Sequence, residues 1–132
     1  MRNSILLCTV IASIAYSCKD EDECPKSSSP GTGGAASVSG YVKHHALSIP
    51  NARVFIEFGA TEFPGSDTTA YDLRTTADSA AYYEFTALKS GDYYLYSVGF
   101  DNSISLPVVG GVPLEICEGV QNVHKNIPVT ED

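Results

Sequence analysis

From Ser37 onward, apolar and polar residues alternate with a period of two. "SVSGYVK" sets Val38, Gly40 and Val42 against Ser39, Tyr41 and Lys43. After a Pro50-Asn51 turn, "ARVFIEF" sets Ala52, Val54, Ile56 and Phe58 against Arg53, Phe55 and Glu57. Successive side chains of a strand point to opposite faces, so this spacing predicts strands with one apolar face each. Further strands are predicted at about Asp72 to Ala77, at "YYEFTAL" with Tyr83 and Phe85 inward, and at "GDYYLYSVGF" with Tyr93 and Leu95 inward. "SISLPVVGG" reads as a mobile segment with room for a short strand, and strands at "VPLEICEG" and "VHKNIPVTE" follow it. No stretch reads as a long amphipathic helix, and there is no internal repeat. Short antiparallel strands that must each cover one face predict an all-β, two-layer sandwich of about seven strands.

The outward phase carries large aromatics. Tyr41, Phe55, Tyr82, Tyr94 and Tyr96 all fall opposite the apolar phase of their strands, which predicts an outer face bearing exposed rings. Such a face suits recognition of a protein or a sugar ring, and it equally suits cross-strand pairing with no ligand at all.

With 132 residues the chain has room for one ordinary domain. Its formal net charge is -8, and removing residues 1 to 17, whose only charged side chain is Arg2, takes this to -9. Such a surface repels phosphate backbones, so a nucleic-acid partner is not expected.

The first 35 residues do not alternate. Arg2 followed by the apolar "ILLCTVIASIA" reads as an export signal over residues 1–17, too short to span a bilayer comfortably. Ala15, Tyr16 and Ser17 then precede Cys18. That junction resembles the lipobox of bacterial lipoproteins, in which the cysteine is acylated and becomes the mature N-terminus. Lys19, Asp20, Glu21, Asp22 and Glu23 follow at once, and this lysine-then-acid run is similar to the surface-export signal of Bacteroidetes-type lipoproteins. The resemblance implies an outer-membrane protein held by lipid at Cys18 and facing the cell exterior. Several acyl chains suffice physically, since each buried methylene contributes about 0.8 kcal/mol. "CPKSSSPGTGGAA" completes a tether over residues 18–35, a flexible spacer with a reach of about 20 Å. The sandwich is assigned to residues 36–132.

The strand motifs also carry a family resemblance. "SVSGYVKHHALSIPNARVFIEF", "TTADSAAYYEFTALKSGDYYLYSVGFD" and the closing "IPVTE" are similar to the carboxypeptidase regulatory-like domain, a transthyretin-like Greek-key β-sandwich, over about Ala36 to Glu131. The chain departs from the pattern at Ala81, where that family often has glycine. The resemblance implies a non-catalytic accessory module, of the kind attached to peptidases, outer-membrane receptors and lipoproteins, with no cofactor. A sugar- or metal-binding module of nutrient capture is the alternative, to be told apart by whether the outward tyrosines or the "GATEFPG" loop form a concave site.

Candidate chemistry is sparse. His44 and His45 are adjacent, so on a strand they face opposite ways and cannot share a metal unless the chain bends there; they are expected at the surface, with no metal site. Asp67, Asp72 and Asp78 flank a long connection without the spacing of a calcium loop and are read as solvated acids. The tail "IPVTED" lacks the Tyr-Arg-Gly-Ser ending of hydroxyisourate hydrolases, and the His-x-His spacing of intradiol dioxygenases is missing. Lys43 and Asn126, a tempting pair for a self-made crosslink, fall out of phase with inward Val42 and Ile127. No nucleophile-elbow pattern frames any serine, so an enzyme is not expected. Once Cys8 leaves with the signal and Cys18 is acylated, Cys24 and Cys117 remain as a candidate disulfide.

Overall fold

The computed structural model describes residues 24–27 and 29–132. The export signal, Cys18 and the tract Lys19 to Glu23 lie outside the described residues. Among the described residues the secondary structure is all β apart from a single 3-10 turn at Thr68–Ala70.

Two sheets form the sandwich. In the first, β1 (Thr32–His44) is central: β5 (Tyr82–Leu88) and the short β2 (Leu47–Ser48) pair antiparallel with it, and β8 (Asn122–His124) and β9 (Ile127–Pro128) pair parallel with it. The second sheet runs β4-β3-β6-β7-β10, built from β3 (Arg53–Phe58), β4 (Leu73–Thr76), β6 (Gly91–Asp101), β7 (Leu106–Ile116) and β10 (Thr130–Glu131). The inward phase read from the sequence is the phase observed. Val38 and Val42 meet Val54, Ile56, Tyr93 and Leu95 in one apolar core, closed by Leu88, Val108, Leu114, Ile116 and Ile127. Each such aliphatic side chain contributes about 1.5–3 kcal/mol by leaving water.

Two segments differ from expectation. "SISLPVVGG" is not a mobile connection: Leu106 to Gly111 form the first half of β7, in unbroken register with β6 from Gly91↔Ile116 to Asp101↔Leu106. "VHKNIPVTE" is broken into β8, β9 and β10 because the chain steps along β1 and then crosses to the other sheet. The step is possible because residue 40 is glycine. A Cβ there would stand 2.0 Å from the Lys125 carbonyl oxygen, which also accepts the hydroxyl proton of buried Tyr83.

The stretch assigned to the tether is also different. Cys24 is bonded to Cys117, and Lys26 pairs with Asp92 at 2.9 Å and Glu115 at 3.3 Å. The Ser27 N–H donates to Ser90 Oγ, and the Gly31 N–H donates to the Tyr93 hydroxyl at 2.9 Å. Thr32 to Ala35 already belong to β1. The packed unit therefore reaches back to Cys24, because specific partners on β6 and β7 outweigh the flexibility of a Gly/Ser/Pro-rich composition. Cys24 and Cys117 are 93 residues apart, and closing a loop of that size removes unfolded-state freedom worth about 4–5 kcal/mol in the chain-entropy account.

Candidate functional site

The expected aromatic face does not exist as one surface. Tyr41 and Tyr82 lie opposite each other on β1 and β5 of the first sheet, half-buried, with ring centroids 5.7 Å apart. Phe55, Tyr94 and Tyr96 lie on β3 and β6 of the second sheet and are only 2%, 8% and 4% exposed. The connection from Gly59 to Asp72 folds over them. Its Tyr71 stacks on Tyr96 at 5.6 Å, its Phe63 lies 5.3 Å from Tyr96 and 6.0 Å from Tyr94, and the Tyr71 hydroxyl ties back to the Gly65 carbonyl. The outward phase is thus a second, smaller core, and the "GATEFPG" loop is its lid. Burial pushes the Tyr71 phenol up to about 12, helped by neighbouring Tyr96 and Tyr94, and burial raises Tyr94 and Tyr96 as well.

The loop acids serve this architecture. Asp67 Oδ1 caps the 3-10 turn by accepting from the Thr69 N–H and hydroxyl, Asp72 accepts from the Phe58 N–H at 2.7 Å, and Asp78 accepts from the N–H groups of Ala80 and Tyr82. The three carboxylates are spent on separate turns and form no calcium cage. Beside the lid, Arg53, Phe55, Thr68, Arg74, Thr75 and Thr76 line a cleft of about 250 Å³. Arg53 faces Thr76 across the β3–β4 pair and Phe55 faces Arg74, so the two guanidinium groups are diagonal neighbours on one face. They are the only arginines beyond Arg2.

At the end of the sandwich away from the disulfide, His44 corrects its sequence reading. It is 6% exposed, and its Nδ1 lies 2.7 Å from Oδ2 of Asp101, itself 1% exposed. The physical reason was in the pattern: His44 continues the inward phase of Val38, Gly40 and Val42, and a buried imidazole requires a partner. Asp101, the last residue of β6, supplies it. Its other oxygen accepts from the Ser103 N–H at 2.8 Å and the Ser103 hydroxyl at 2.6 Å. These Ser103 contacts first, and His44 second, hold the Asp101 carboxyl down to about 2. The hydrogen bond to Asp101 raises His44 against the opposing effect of desolvation. His44 Nε2 is buried with no hydrogen-bond partner and faces Glu131 Oε2 at 3.4 Å. This imidazole therefore points at a carboxylate and not at a serine or thiol nucleophile, and it is not the base of a hydrolase triad.

His45 turns outward, as adjacency requires, with a left-handed backbone (φ 55) and its ring centroid 4.6 Å from that of His44. Exposed apolar side chains surround this end. Leu47 pairs with His44 across β1–β2, Leu106 pairs with Asp101 across β6–β7, and Phe100 and Ile104 belong to the same hairpin.

Lys43 and Asn126 are engaged separately: Lys43 Nζ donates to Ser48 Oγ at 2.9 Å, and Asn126 Oδ1 accepts from the Tyr41 N–H at 2.9 Å. Glu115 lies beside Cys24 and Cys117, but their sulfurs are joined to each other and offer no thiolate to a metal. Sequence reasoning missed Asp101, Ser103, Glu131 and the arginine cleft. Only the "DNS" turn signature at Asp101 and the phase of His44 pointed to the first two. Compared with known proteins, the chain matches no family model, no curated protein and no solved structure.

Proposed function

We propose that the chain is a non-catalytic cell-surface lipoprotein, held in the outer membrane by acyl chains on Cys18 and exported by Lys19 to Glu23, whose single sandwich is an accessory, protein-interaction module. In this reading the sandwich is a carboxypeptidase regulatory-like domain of transthyretin-like type. The observation that carries it is the polarity of the domain. The Cys24–Cys117 bridge fixes the membrane-side segment at one end, while Leu47, Phe100, Ile104 and Leu106 are exposed at the other. β1 runs 13 residues between the two ends, about 40 Å at the rise of a strand. A module so mounted presents its apolar loops away from the lipid, where a protein partner of a surface complex would meet them.

A second reading, a glycan-binding module of nutrient capture, draws on the arginine cleft, whose two guanidinium forks and threonine hydroxyls suit an acidic sugar. Loss of uronate-oligosaccharide binding in Arg74→Gln would distinguish it.

Intact-mass measurement and protease shaving of whole cells test the main reading, on the native protein, on Cys18→Ala, and on a variant with residues 19 to 23 neutralised. Acyl mass on Cys18, with shaving that requires the acidic tract, supports it. An unlipidated Cys18, or a domain resistant to shaving, refutes it.

A further inference from the structure

We infer that His44, Glu131 and His45 form a binding site for a zinc-like divalent cation, oriented by Asp101. Two donors are preset. His44 Nε2 and Glu131 Oε2 are 3.4 Å apart, outside hydrogen-bond geometry, and Nε2 is buried with no other partner. Two ligand atoms each about 2.1 Å from one tetrahedral ion stand about 3.4 Å apart, so the spacing that is poor for a hydrogen bond suits a shared metal. Asp101 completes the arrangement from behind. Accepting from Nδ1 of a metal-ligating histidine fixes the tautomer, aims Nε2 at the ion and raises its basicity. Ser103 in turn fixes Asp101 through two hydrogen bonds.

The third donor is His45, exposed and beside His44, whose ring must swing to join the pair. On a regular strand adjacent histidines face apart and cannot share a metal. β1 instead ends at His44 and the chain turns at His45 with positive φ, which is the bend that adjacent histidines require. On binding, the ion takes the Nε2 lone pair, any proton on Nε2 passes to solvent, and the Nδ1–H stays on Asp101. Water would fill the remaining position. The ion would join the end of β1 to β10, strands of different sheets.

The test is calorimetric titration of zinc chloride into the tag-free, disulfide-intact full chain in detergent, beside His45→Ala and Glu131→Gln. Cobalt is used as a second probe for its tetrahedral absorption. The expected result is one ion per chain, a tetrahedral cobalt spectrum, and affinity at least tenfold weaker in each variant. His45 is exposed and Glu131 is half-exposed, so neither change removes core packing, and circular dichroism verifies the fold. No uptake, or uptake undiminished by both variants as adventitious binding to the acidic tract would give, overturns the inference.

Discussion

The outer faces of the two sheets started from the same sequence signal and ended differently. On the first sheet, Tyr41 and Tyr82 remain half-open and touch chiefly each other and, for Tyr41, His124. On the second, Phe55, Tyr94 and Tyr96 are sealed under Phe63 and Tyr71. Alternation reports which face of a strand a residue occupies; whether a connection such as Gly59 to Asp72 folds back to cover that face is tertiary information. The buried aromatic residues of the second sheet are therefore stability elements, and four exposed large apolar side chains, Leu47, Phe100, Ile104 and Leu106, gather at the loop end beyond His44, against one on the lid, Phe63, and one beside the disulfide, Val120.

The sharpest way to break this contrast is truncation. Tyr96→Ala should cost about 3–4 kcal/mol, as large-to-small changes in a core do, whereas Tyr82→Ala should cost less than about 1 kcal/mol, the scale of a cross-strand pair. Urea unfolding of the oxidised protein measures both, and equal losses would erase the distinction. Phe63→Ala should loosen the lid at a cost of about 1 kcal/mol and open residues 59 to 72 to limited proteolysis, leaving the main core intact.

Alkaline titration probes the sealed face without mutation. The Tyr71 phenol is raised from its ordinary 10 to about 12, so the fold favours its neutral form. That contribution is fully present below pH 10 and is lost as pH rises through about 12. Absorbance of tyrosinate should show Tyr71, Tyr94 and Tyr96 ionising late, as do the core phenols Tyr83 and Tyr93 that burial also raises, and release of the lid should accompany the step of Tyr71. A single ionisation step near 10, with no late group, would contradict the sealed face.

The smallest effect concerns the turn that leads into the open sheet. Ala81 is buried with φ 68, a conformation that costs a residue bearing Cβ about 1–2 kcal/mol, part of which glycine gives back in chain entropy. Ala81→Gly should stabilise the protein by about 0.5 kcal/mol, read from the same urea curves.

Strand positions and inward residues were legible in β1, β3 and β5, where the period of two survives in the sequence, and not in the first half of β7, where "LPVVGG" does not alternate. The lid, the clasp of the segment from Cys24 to Gly31 and the His44–Asp101 pair were not, for one shared reason. Each joins residues distant in sequence through partners that local pattern does not encode: Tyr71 with Tyr96, Lys26 with Asp92, and His44 with Asp101 at a separation of 57 residues. Composition misdirected in the tether, where glycine and serine signal freedom but Gly34 in fact admits the Leu88 carbonyl at a distance any Cβ would block. Cys24 and Cys117 were identifiable as candidates by elimination; their pairing required the fold.

Photo-crosslinking on intact cells locates the surface that meets a partner. A photoreactive residue is placed at Leu106 on the loop end, at Glu62 on the lid, or at Tyr82 on the open sheet of the lipidated protein. The account expects a discrete protein adduct from Leu106 and none from the other two positions. Adducts from Glu62 or Tyr82 with none from Leu106 would contradict it, and would return recognition to the sheet faces.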